Sequence, residues 1–277
     1  MRLVIKAATV LLLFTTSIWA NDLIPDRRIA ITRDLDFYGS DLQSIFDTTL
    51  PACQRACLTD SRCTAFTFNS RSNSCFPKSE VTETQPYIGA VSARVMETNP
   101  QILAAASARA AELTFLDAAA FKSAKGLAQK LATLYDTQNE EALSLWRSGR
   151  NRLSGKYYRA AQSYFGAALT LNDNAGLWAE YSNAAYLNRT GDYQNKRNQK
   201  ARAMSASVNA YLRSTTDGEK ITSLLAMANA LELNGRSRDM LKSLRLAQFI
   251  LPTPKVLAKM EYAVGKYGLK ITDHDIE

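Results

Sequence analysis

All four cysteines of the 277-residue chain lie between Cys53 and Cys75, in CQRACLTDSRCTAFTFNSRSNSC. Four sulfurs in so short a stretch make either a metal site or a disulfide framework. The gaps are C-x3-C-x5-C-x11-C, without the paired C-x2-C knuckles of zinc sites, and the single histidine, His274, is remote in sequence. A thioredoxin-like site has no support, because no C-x-x-C is present. Disulfides are therefore expected. Leu50-Pro51 opens a helical turn that puts Cys53 and Cys57 on one face. Thr64 to Phe68 alternates small and large residues like a half-buried strand, and a polar loop from Asn69 to Ser74 returns the chain at Cys75-Phe76. Of the three possible pairings the nested one, Cys57 with Cys63 and Cys53 with Cys75, is preferred; the sequence leaves the others open. Each bridge is worth about 2 to 3 kcal/mol, which matters in a unit too small for a generous core.

These residues resemble the PAN/Apple domain: a C-x-x-x-C helix, then D-S-R-C-T-A-F-T-F, then a last cysteine before Phe76-Pro77-Lys78. The resemblance covers about residues 25–96, with strand-like Arg28 to Ile31 at the start and Gly89 to Arg94 at the end. It implies a disulfide-stapled sheet with one helix, used to bind proteins or carbohydrates rather than to catalyse. The cysteines that join the termini in some members are missing, so strand pairing alone is expected to hold the ends of this unit.

The N-terminus, MRLVIKAATVLLLFTTSIWA, has Arg2 and Lys6, an apolar run from Ala7 to Phe14, and Ser17-Ile18-Trp19-Ala20 before a polar pair. This pattern predicts a signal peptide over 1–20, cleaved after Ala20, in preference to a membrane anchor, for which the apolar core is short. The mature chain is then an exported protein, periplasmic or extracellular, with no transmembrane span. Its net charge of +8 is uneven: Asp22 to Glu97 holds 8 basic and 10 acidic residues, and Thr98 onward holds 24 and 16.

Glu97-Thr98-Asn99-Pro100 marks a boundary, and helices follow. Leu103, Ala106, Ala110, Leu113, Asp117, Ala120, Ala124, Leu127, Leu131 and Leu134 recur at gaps of three and four, predicting one long helix packed within the chain. Thr137 to Glu140 and Thr216 to Glu219 both read as capping boxes. Further helices are expected near 138–153, 156–171, 175–188, 192–213, 217–234, 237–250 and 254–266. Several hairpins resemble the tetratricopeptide repeat, with Gly149, Ala161, Phe165 and Ala168 in one unit, Ala184 and Gly191 in another, and Ala228, Gly235, Ala247 and Pro252 in a third. Glycine turns at 155, 191 and 235 are too unevenly spaced for a regular array. That resemblance implies a concave binding surface. The fold class expected is α+β: a sheet-plus-helix unit over 25–96, then an all-α hairpin array over 100–267.

Arg147, Arg150, Arg152, Lys156 and Arg159 lie in a stretch without acids, and Lys196, Arg197, Lys200 and Arg202 in another, with Tyr157, Tyr158 and Tyr193 close by in sequence. They offer a surface for an anionic partner, an acidic peptide or an envelope polymer. The plainer reading, a solvated helix face beside core tyrosines, is favoured. Nucleic acid does not suit an exported chain. Catalysis finds little material, since a lone histidine and four bridged cysteines supply neither a triad nor a thiolate. Gly149-x5-Gly155-Lys156-Tyr157 is one residue too long for a phosphate loop and has Tyr where Ser or Thr should bind the metal. No enzyme, cofactor or metal is expected.

The tail over 268–277 alternates Leu269 and Ile271, as the start of a further β domain would. Domain order and this G-L-K-I-T-D-H-D tail resemble the N-terminal region of bacterial alpha-2-macroglobulin-like proteins, whose family role is trapping proteases; their thioester motif is absent. The function expected is an exported, non-catalytic binding module for protein, proteases or envelope proteins among them, or for glycan. The alternative is a scaffold subunit of an envelope or secretion assembly.

Overall fold

A computed structural model of the chain describes residues 23–134, 136–137 and 140–269. The expected signal peptide, His274 and most of the expected tail lie outside the described residues. The architecture is α+β: a three-stranded sheet with one helix, followed by a helical array.

Strand β1 (Arg27–Asp41) runs antiparallel to the long β3 (Ser74–Glu97), from Arg27 opposite Glu97 to Asp41 opposite Lys78. Bulges, one at Asp34 with φ 55°, bend this ribbon. The curvature lets β3 flank the short β2 (Ala65–Asn69) on both sides. Residues 65 to 69 face 78 to 74 along one edge and 94 to 90 along the other, and the falling partner numbers make both pairings antiparallel. A buried polar contact closes the curl, where Thr67 Oγ1 accepts from the Phe37 amide at 3.0 Å and meets Ser92 Oγ at 2.7 Å.

Helix α1 (Leu50–Thr59) begins at Thr49, whose hydroxyl accepts from the Ala52 amide, with Pro51 in the first turn. Its buried face carries Cys53 and Cys57, bonded to Cys75 and Cys63. These sulfurs pack with Ile29, Phe66, Phe68 and Ala93 in one core. Arg27 closes the other end of α1, donating to the carbonyls of Leu58 and Asp60 at 3.0 Å and to that of Cys63. Helix carbonyls with no partner of their own thus receive a cation from the first strand.

Two helices stand where one was expected. α2 (Pro100–Glu112) and α3 (Ala118–Leu134) are separated at Leu113, whose φ and ψ of −92° and 51° leave the helical region. Asp117 is not a seam residue: its carboxylate accepts from the Ala120 amide at 2.9 Å and so opens α3. Thr137 does not cap the next helix either. Its amide and hydroxyl both donate to the carbonyl of Ile31, at 3.1 and 3.3 Å, extending the edge of β1. Helix α4 (Ala142–Ser154) starts later, without a side-chain cap.

Then come α5 (Tyr158–Leu171), α6 (Ala175–Leu187), α7 (Tyr193–Leu212), α8 (Asp217–Leu233), α9 (Ser237–Ile250) and α10 (Pro254–Tyr267). The capping box at Thr216 and Glu219 is formed. Neighbours pack in sequence, α4 on α5, α6 on α7 and α8 on α9, while α3 lies across α7, α5 and β1. Ala161, Ala168, Ala184, Ala228 and Ala247 are all fully buried, so small side chains do sit where helices cross closely. Gly149 shows why: a Cβ there would lie 2.5 Å from the Phe165 ring. The turn of Gly155, Lys156 and Tyr157 joins α4 to α5, a helix junction rather than a phosphate loop.

Candidate functional site

The two basic runs are separate in sequence but meet in space. Arg159 on α5 and Arg202 on α7 line one polar cavity of about 560 Å³, whose remaining wall comes from Gln162 and Ser163 of α5, the α6–α7 turn and the start of α7. A second cavity, also about 560 Å³, adjoins it, sharing Arg159, Ser163 and Asn188 and adding Lys156, Tyr157 and Tyr158. The pair forms a continuous depression along the N-terminal half of α5.

A closed relay of amides makes its wall. Asn188 Nδ2 donates to Gln162 Oε1 at 3.1 Å, Gln162 Nε2 to Gln199 Oε1 at 3.0 Å, and Gln199 Nε2 to Asn195 Oδ1 at 3.3 Å. Asn195 Nδ2 completes the circuit, donating to the carbonyls of Asn188 at 3.2 Å and Thr190 at 2.6 Å. Gln162 and Gln199 are buried, so each depends on the other for satisfaction. Asp192 also lines the cavity, but its carboxylate is engaged as the cap of α7, accepting from the Asn195 amide at 2.7 Å.

The other predicted cations do not line this depression. Arg150 reaches across to Glu180 of α6 at 2.8 Å and stacks over Trp146, its guanidinium carbon 4.6 Å from the ring centroid. Arg152 lies over the Tyr157 ring. Arg147, Lys196 and Arg197 are exposed, and Lys200 is half-buried, its carbonyl accepting from Asn234. Tyr157 and Tyr193 are exposed at 63% and 77%, so neither is a core tyrosine.

A buried ionic node joins the two units, and sequence reasoning missed it. Asp173, in the α5–α6 turn, accepts from Arg213 Nε at 2.5 Å and Trp178 Nε1 at 2.6 Å, while its other oxygen accepts from Arg28 of β1 at 3.3 Å. Arg28 also donates to Thr98 Oγ1 at 2.6 Å, and Arg213 to Asn209 Oδ1 at 2.6 Å. Burial alone would raise the Asp173 carboxyl, but the charges of Arg213 and Arg28, with the hydrogen bonds from Arg213 and Trp178, outweigh it and hold it below the usual carboxylate range. Burial lowers the Arg28 guanidinium; attraction to Asp173 opposes this, and repulsion from Arg213 adds to it. The available signal was Asp173 as an isolated acid, with Arg213 ending a run of small and apolar residues from Ala203 to Leu212. A cation there needs a carboxylate from elsewhere.

A further groove of about 420 Å³ opens between α6, α8 and α10, its lining including Asn183, Leu225, Ala226, Asn229, Lys255 and Ala258. Among the described residues no cluster of potential metal ligands occurs and no helix is long and apolar enough to cross a membrane. No curated protein matches the chain. Its first unit does match a family: residues 29–99 are similar throughout to the PAN domain.

Proposed function

We propose that the chain is an exported, non-catalytic binding protein whose ligand is a protein or a glycan with anionic character. The observation that carries this reading is convergence: Arg159 and Arg202, from separate basic runs, open into one polar cavity beside an exposed tyrosine. Two bridges in the PAN unit suit an oxidising compartment and leave no thiolate for chemistry. The hairpins work as tetratricopeptide-like repeats, and the chain as the recruiting front of an alpha-2-macroglobulin-like protease trap; similarity of domain order supports this. Immobilised full chain, incubated with an envelope extract and a panel of proteases, should retain a protease, envelope protein or glycan. Capture of none of them would refute the reading.

A structural subunit is the second reading, favoured by Phe249, Leu251 and Leu257, which are exposed near the α9–α10 turn. Light scattering that found a stable complex with one fixed partner would favour it over the first.

A further inference from the structure

The depression along α5 has the chemistry of a sugar site rather than a peptide groove. Its deeper cavity is walled by amides, and an amide both donates and accepts, as a sugar hydroxyl does. The relay through Gln162, Gln199, Asn188 and Asn195 holds each amide in one orientation. Side chains fixed before the ligand arrives lose little freedom on binding. Asn188, half-buried on the cavity wall, uses one amide hydrogen in that circuit, which leaves a second for a ligand oxygen, while the buried Gln162 and Gln199 hold it in place.

Charge narrows the choice further. Arg159 and Arg202 face the same space, and a guanidinium recognises a carboxylate through paired hydrogen bonds. The neighbouring Asp192, which caps α7, offsets part of that charge, so two cations stand against one anion in the cavity. At the open end the Tyr157 ring stands exposed beside Lys156, with the Arg152 guanidinium 5.9 Å from its centroid, so at most one face is left for a ligand.

We propose that this depression binds an acidic sugar, a pyranose carrying a carboxylate, as a unit of an anionic polysaccharide. Its carboxylate pairs with Arg159 and Arg202, its hydroxyls meet the amide relay, and the next sugar stacks on Tyr157. This rests on the binding reading above and names the ligand class. Calorimetric titration of the full, disulfide-bonded chain with tetragalacturonate tests it, with a neutral tetrasaccharide and tetraglutamate as comparators. Saturable binding of the uronide alone is expected, weakened at least tenfold in Arg159→Gln and in Arg202→Gln and several-fold in Tyr157→Ala. Circular dichroism checks that each variant is folded. The proposal is overturned by absence of uronide binding, by binding that both arginine variants keep, or by equally tight binding of tetraglutamate. Loss of this site with continued capture of a protein through other surfaces would overturn the sugar assignment while leaving the broader reading intact.

Discussion

At Gly149 a single methyl group decides how closely α4 and α5 can approach. An alanine Cβ would sit 2.5 and 2.7 Å from two atoms of the fully buried Phe165 ring, well inside contact distance. Overpacking of this kind costs about 1 to 3 kcal/mol, whereas alanine gains only about 1 kcal/mol of helix propensity over glycine. Gly149→Ala should therefore melt at a lower temperature than the parent, and Phe165→Leu added to it should recover part of the loss. A melting point at or above the parent's would show that the two helices are not locked at this spot. The sequence placed both residues in one expected hairpin unit, but not their contact. Arg27 was not: nothing local in the sequence says that a strand residue will satisfy carbonyls some thirty positions on, at Leu58 and Asp60.

Among the elements, α10 buries Val256, Met260 and Ala263 in the helical core and is clamped at its polar face by one carboxylate. Glu232 of α8 accepts from Lys259 at 3.0 Å, Lys266 at 2.9 Å, the Tyr262 hydroxyl at 2.7 Å and that of Tyr267 at 3.1 Å. Burial would raise its carboxyl, but the hydrogen bonds from Lys266, Tyr262 and Lys259 prevail and depress it to about 2. Because the folded value lies below the ordinary glutamate value of about 4.3, this clamp contributes fully above that pH and is lost as pH falls through about 2. Hydrogen exchange over Pro254–Tyr267 should accelerate in Glu232→Gln at neutral pH, with exchange in α4 and α5 unchanged. Equal protection of α10 in both proteins would exclude the clamp. Most helix ends were readable from turn residues such as Gly235, which takes φ 73° after α8. The break between α2 and α3 was not, since the spacing of three and four continues across it. Only the local choice of Asp117 as a cap ends the register. Thr137 misled for a related reason: a Thr-x-x-Glu signature cannot tell a helix start from a hydroxyl drawn to a strand edge.

Over the whole molecule, the Arg28–Asp173–Arg213 node turns two units into one body. Asp173→Asn would leave two buried guanidinium groups without their shared anion, at a cost of about 3 to 5 kcal/mol. The parent should unfold in urea as one transition, with near- and far-ultraviolet circular dichroism coincident. In Asp173→Asn the midpoint should fall and the two signals separate, as the sheet unit and the helices come apart independently. An unchanged midpoint with coincident signals would mean that the node does not couple them. The sequence marks Asp173 and Arg213 as odd charges but cannot pair them, because the partners stand 145 and 40 residues apart. What does follow from local signals is each unit taken alone, the cysteine-stapled sheet and the train of helices. The seam between them, read as a boundary at Glu97 to Pro100, is buried at Thr98, whose amide donates to the carbonyl of Asp26 and whose hydroxyl donates to that of Pro25. A chain built this way is pinned where its two units join: Glu97, Asn99 and Pro100 meet solvent, but Thr98 between them is tied inward, so a pull on the helices travels straight into the sheet instead of being taken up by slack.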